Sequence, residues 1–193
     1  FTRDFEADSG GASVTAARGA EAAVARDTTN PGEGGGALRI DAQRLLPEPD
    51  DQHLRVSLGP FRLERGREVT VRLLVRADPG YARIDPMFAG TPRRVALALN
   101  VRGAPTTEQD AMADATWRRY ELAFVPPQDD PAATLSVLVG NEPGSVWIDA
   151  LSVERGPADT FFRAFAHGAV LVNGSSEPAT FDLDALAPGR ALR

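Results

Sequence analysis

The chain has 193 residues and a mass of 20.5 kDa, enough for one sizeable domain with a small appendage. With 18 glycines and 15 prolines, turns are frequent and the elements between them short. All 21 cationic residues are arginine and there is no cysteine, which excludes lysine Schiff bases, P-loop lysines, thiolate nucleophiles, cysteine-ligated zinc and disulfides. Two histidines, His53 and His167, are too few for a three-histidine metal site within the chain. The net charge of −6 argues against nucleic acid or an anionic membrane as partner, and no apolar stretch has the length of a bilayer span. The opening Phe1-Thr2-Arg3-Asp4, without an initiator methionine, reads as a segment of a longer or processed protein.

Taken in chain order, alternation with a period of two dominates. Strands are expected over 37–42, with Leu38 and Ile40 inward, and over 53–58, with Leu54, Val56 and Leu58 inward. The clearest run is 68–76, which places Val69, Val71, Leu73 and Val75 on one face. Residues 94–102 follow the same rule with Val95, Leu97, Leu99 and Val101, and further strands are expected over 117–125, 134–139 and 145–153. Between 106 and 115 the sequence favours a short helix, which Thr106 would cap at Gln109. The segments Asn30–Gly36, Pro47–Asp51, Pro126–Pro131 and Asn141–Gly144 read as turns, and the acidic pairs Asp50-Asp51 and Asp129-Asp130 within them as solvated. Many short strands so punctuated predict an all-β antiparallel sandwich, or jelly roll, over 1–156. After Gly156-Pro157 a β-hairpin tail over 157–193 is expected, with strands 161–166, 169–173 and 179–183 around a His167-Gly168 turn. Too small to bury a core alone, it must pack on the sandwich or on another domain.

Five stretches, in order, resemble jelly-roll carbohydrate-binding modules appended to bacterial xylanases and glucanases. They are Arg3-Asp-Phe-Glu6, Gly36-Ala-Leu-Arg-Ile40, Phe61 to Ala77, Thr116-Trp-Arg-Arg-Tyr120 with Phe124, and Val146-Trp-Ile-Asp-Ala-Leu-Ser-Val-Glu154. The tail, Phe162 to Asn173 with Glu177 to Leu183, resembles the small β-domain that closes many barrel-type glycoside hydrolases. The resemblance implies an extracytoplasmic bacterial enzyme of which this chain is a non-catalytic part. It also implies a structural calcium ion (Ca2+) held by Glu6, Asp149 and Glu33 together with carbonyls of Gly34–Gly36. A calcium ion takes six to eight oxygens, which a glycine loop can supply. The bland reading of Asp149, an acid between Ile148 and Leu151, is an ion pair with an arginine or a turn cap.

Such modules stack aromatic rings on sugar faces. Opposite the inward residues of 68–76 stand Thr70, Arg72, Leu74 and Arg76. The strand 94–102, expected as a neighbour, offers Ala96, Ala98, Asn100 and Arg102, and 134–139 offers Ser136 and Leu138. None is aromatic, so ring contacts fall to Tyr81 and Phe88 of the 78–92 loop, with Arg83 and Asp85 to bond hydroxyls; otherwise Tyr81 and Phe88 cover the open end of the sandwich. Trp117 and Trp147 are expected to pack at the core or rim, with a stacking platform as the other reading. No Ser/His/Asp spacing or carboxylate pair stands out as catalytic. Two functions stay open: a glycan-binding accessory module for a tethered catalytic domain, or a structural interdomain sandwich whose aliphatic outer face packs on a neighbouring domain.

Overall fold

The structure is a computed structural model that describes residues 1–78, 92–156, 160–165, 168–174 and the positions 178, 180, 181 and 183. Its strands are β1 (Thr2–Arg3), β2 (Ser13–Ala16), β3 (Glu21–Asp27), β4 (Ala37–Arg44), β5 (Leu54–Leu63), β6 (Val69–Ala77), β7 (Arg93–Asn100), β8 (Thr107–Ala113), β9 (Arg118–Phe124), β10 (Asp130–Leu138), β11 (Gly144–Arg155), β12 (Thr160–Phe165) and β13 (Gly168–Asn173). A 3-10 turn, Asp51–His53, leads into β5.

Strands β1 to β11 form two antiparallel sheets. The first runs β3-β4-β11-β6-β9 with β1 also on β11, and the second runs β2-β5-β10-β7-β8. The core lies between them: Leu38, Ile40, Val69, Val71, Leu73, Val75, Val146 and Ile148 of the first sheet face Leu54, Val56, Leu58, Val95, Leu97, Leu99, Leu135 and Val137 of the second. All sixteen are buried. β-Branched and leucine side chains on alternate positions suit two pleated faces stacked about 10 Å apart.

Three expectations need correction. Residues 107–113 form β8, not a helix, pairing with β7 from Leu99↔Thr107 to Arg93↔Ala113. Ala111 and Ala113 enter the core with no exposed surface, and the pairing overrides the helix preference of Glu, Gln, Ala and Met. Second, β6 and β7 are not neighbours; β6 lies in the first sheet and β7 in the second, so Leu74 and the pair Ala96 and Ala98 point outward from opposite sides of the sandwich. Third, the acidic pairs are not simply solvated. Asp130 is 2% exposed and accepts from the amides of Arg102 (2.6 Å) and Ala132 (2.8 Å), which hold its carboxyl below the usual range.

β12 and β13 pair as a two-stranded sheet, Thr160↔Asn173 through Phe165↔Gly168, close to the expected hairpin. His167 at its turn lies outside the described residues. Of the strand expected over 179–183, Thr180 and Phe181 are in no strand.

Candidate functional sites: the glycine loop and the two outer faces

β11 changes partner halfway along. It pairs with β4 from Gly144 to Ile148 and with β1 at Leu151 and Ser152, and its register against β6 slips between Asp149 and Ser152. Asp149 sits at this slip, next to Ala150, whose φ of 47° is left-handed. The interval between β4 and β1 is crossed by the loop joining β3 to β4, residues 28–36. Asp149, 1% exposed, binds that loop: Oδ2 accepts from the amides of Gly32 and Glu33, both at 2.8 Å, and Oδ1 from Ala150 at 2.7 Å. Burial pushes its carboxyl above the usual range against the pull of these three N–H groups, and the charge of Glu6 adds to the rise. The predicted turn-cap role is therefore the one the geometry displays.

Glu6 reaches the same loop from the other side. Both its carboxylate oxygens accept from the Gly35 amide at 2.9 Å, and a Cβ placed on Gly34 (φ 61°) would lie 1.8 Å from Oε1. Glu33 turns its carboxylate away, to Arg119 of β9. The loop carbonyl of Gly35 and that of Phe5 both accept from Arg26, at 3.1 and 2.9 Å. These residues do not fit a calcium ion. The carboxylates of Glu6 and Asp149 are engaged by N–H donors, Glu33 faces an arginine, and a guanidinium holds the carbonyls a cation needs. Among the described residues no group of three or more His, Asp or Glu could hold a metal ion.

On the outer face of the first sheet, the tryptophans brace this loop. Arg76 lies 4.1 Å from the ring centre of Trp147 and 5.3 Å from that of Trp117. Trp117 donates to the Asn30 carbonyl at 3.1 Å and Trp147 to Asp27 Oδ2 at 2.7 Å. Ring faces stacked on an internal arginine, with one indole N–H bonded to the loop and the other to the last residue of β3, favour the packing role expected for both. The side chain and amide of Thr29, and Trp147, hold the Asp27 carboxyl down at about 2, against 3.8 unperturbed. Its stabilisation is complete above pH 3.8 and is lost as pH falls through about 2. In a Trp117→Phe background, Trp147 emission should titrate with a midpoint near 2, and Asp27→Asn should remove the step. A midpoint at 3.8 would contradict the bond.

The second sheet carries a polar lattice on its outer face. Ala96 pairs with Leu138 and Asp110, and Ala98 with Ser136 and Glu108. Ala96, Ala98, Leu138 and Ser136 have no exposed surface, although they point away from the main core. Around them Gln52 donates to Glu108, Arg55 donates to the Gln52 side-chain carbonyl, and Arg94 pairs with Asp51 and with Asp110, the latter at 2.9 Å. Burial pushes the Asp51 carboxyl up against the charge of Arg94. Asn100 donates to Ser136 Oγ at 2.7 Å, and Ser136 meets Ser57 at 2.9 Å. The alternation rule placed Asn100 on this face. It missed Gln52, Glu108 and Asp110, because residues 106–115 read as a helix and the 3-10 turn has no periodic signal. Tyr81, Arg83, Asp85 and Phe88 lie outside the described residues; their segment joins β6 of the first sheet to β7 of the second.

No family model matches the sequence, and no curated protein matches it. Solved structures do match its fold. A family 4 carbohydrate-binding module is 18% identical with a TM-score of 0.55, covering 80% of this chain and 92% of its own. The xylan-binding CBM22-1 domain of Xyn10C from Paenibacillus barcinonensis is 11% identical with a TM-score of 0.57, covering 80% and 92%. The carbohydrate-binding module CBM1 of BiXyn10A, in its apo form, is 12% identical with a TM-score of 0.59, covering 81% and 97%. The fold is thus the jelly roll of carbohydrate-binding modules, as the five sequence stretches imply.

Proposed function

We propose that this chain is a non-catalytic, glycan-binding accessory module that works outside the cytoplasm and raises the local substrate concentration of a catalytic domain on the same polypeptide. The observation that carries the reading is the fold match, which spans about four-fifths of this chain and nearly all of each module just described. The outer face of the second sheet adds support. It presents amide, carboxylate and guanidinium groups from three strands and a turn, the hydrogen-bonding chemistry that sugar hydroxyls require. Tyr81 and Phe88 are the proposed ring contacts, with Arg83 and Asp85 as their polar partners.

Affinity electrophoresis through gels containing xylan, mixed-linkage β-glucan and other polysaccharides tests this. At least one should retard the chain, and Tyr81→Ala or Phe88→Ala should weaken that retention at least about tenfold, as expected for an aromatic anchor. Uniform free migration would overturn glycan binding.

A second reading, a structural interdomain module without a ligand, is favoured by specific burial and exposure. Leu74, Ala96, Ala98 and Leu138 are buried rather than bare in an open groove. Conversely, the hairpin leaves Phe165, Val170, Leu171 and Val172 between 41% and 48% exposed, and a two-stranded sheet with apolar side chains in water is marginal by itself. A hairpin that docks on a neighbouring domain accounts for these residues under either reading.

A further inference from the structure

We propose that Arg26 is the resident cation of the glycine loop and that the loop holds its shape without a divalent metal ion. Two residues beyond the end of β1, Phe5 has a φ of 57° and turns its carbonyl toward the loop, and the loop returns Gly35 O to the same place. Two carbonyl oxygens converge there, beside the carboxylate of Glu6 on the Gly35 amide, and make a site of negative potential. Arg26, next to last in β3, fills it with Nε on Phe5 O at 2.9 Å and Nη2 on Gly35 O at 3.1 Å.

The seat is shaped for a guanidinium. A Cβ on Gly36 would lie 2.6 Å from Arg26 Nε, 2.8 Å from Nη2 and 2.5 Å from Phe5 O, so the absence of a side chain at 36 is what admits the planar group. The carboxylates complete the arrangement without bonding Arg26 directly. Each takes backbone N–H donors, Glu6 from Gly35 and Asp149 from Gly32, Glu33 and Ala150. A calcium ion requires six to eight oxygens at roughly 2.3–2.6 Å. To gather them here it would have to break these N–H bonds and lie against a fixed positive charge.

The test compares thermal unfolding of the 193-residue chain in chelator and in millimolar calcium, beside a calorimetric titration with calcium chloride. The midpoints should coincide and the titration should show no saturable heat. Arg26→Met should lower the midpoint by about 5–10 °C in either medium, since two charge-assisted bonds to backbone carbonyls are lost. Gly36→Ala, which pushes the guanidinium from its seat while keeping its charge, should lower it as well and serves if Arg26→Met does not fold. A wild-type midpoint raised by calcium, one-to-one saturable binding, or variants that melt with the wild type would each overturn the proposal. Glycan retention plays no part in these readouts, so this inference and the functional reading stand or fall separately.

Discussion

Replacing Arg93 with methionine is expected to lower the unfolding free energy by about 3–5 kcal/mol, since three backbone carbonyls lose a charged donor at about 1–3 kcal/mol each, with partial relief from water. For a chain of this size that corresponds to a fall in Tm of roughly 10 °C. Arg93 opens β7 yet is 1% exposed. Its guanidinium donates to three backbone carbonyls of the turn between β10 and β11: Nη1 to Pro143 at 3.2 Å, Nη2 to Val139 at 3.2 Å and to Glu142 at 2.6 Å. Methionine fills much of the same volume but leaves these acceptors without their donor, so the loss is electrostatic and not a cavity effect.

The damage should extend toward the outer face of the second sheet. Asn141 in the same turn donates to Arg94 O at 3.4 Å, and the Gly140 amide donates to Asp51 O at 3.3 Å. Both partners belong to the Arg94–Asp51 pair, so a loosened turn unseats the lattice proposed to meet sugar hydroxyls. Denaturant unfolding checks the first claim and polysaccharide retention the second. A loss under about 1 kcal/mol would show that the turn is held by other means.

Much of the sandwich was legible because burial on one face writes a period of two into the sequence. The runs around Leu38, Leu54, Val71, Leu97, Leu135 and Ile148 all became core strands. Where that contrast fades, legibility fades with it. β3 is Glu-Ala-Ala-Val-Ala-Arg-Asp and only partly buried, so its alternation carries little hydrophobic signal. β8 was misread because Glu, Gln, Ala and Met prefer helices, and only the β7 edge converts them to strand. Assignment of strands to sheets was also hidden, since alternation gives a face but no partner, and β6 and β7 parted to opposite sheets.

The sites divide on the same physical ground. That Asp149 needs a partner followed from an acid set in an apolar strand; which partner did not, because Gly32 and Glu33 lie 117 and 116 residues away and donate through their backbones. Glu6 and Glu33, grouped with it by resemblance, are drawn apart by the Gly35 amide and by Arg119. Arg26 carried no signal at all, since one arginine among 21 looks like any other until its carbonyl partners are in place.

Asp149→Ala should cost about 3–5 kcal/mol, because it strands up to three backbone N–H groups at about 1–3 kcal/mol each, with partial relief from water. The loop amides of Gly32 and Glu33 and the bulge amide of Ala150 all lose their acceptor at once. The bulge is the weaker side of this arrangement. Ala150 keeps a φ of 47°, a region that costs a residue with a Cβ roughly 1–2 kcal/mol, and the Asp149 bond to its amide helps hold it there. Asp149→Asn should be milder. It preserves shape and one acceptor oxygen, so either the loop pair or the bulge stays bonded while the other faces an NH2 group. The order wild type, Asn, Ala in denaturant midpoint is thus expected, with unchanged m-values. Equal losses for Asn and Ala would mean that the negative charge itself, and not acceptance of N–H bonds, is what the loop requires. Added calcium should rescue neither variant, because Arg26 remains on Phe5 O and Gly35 O in both.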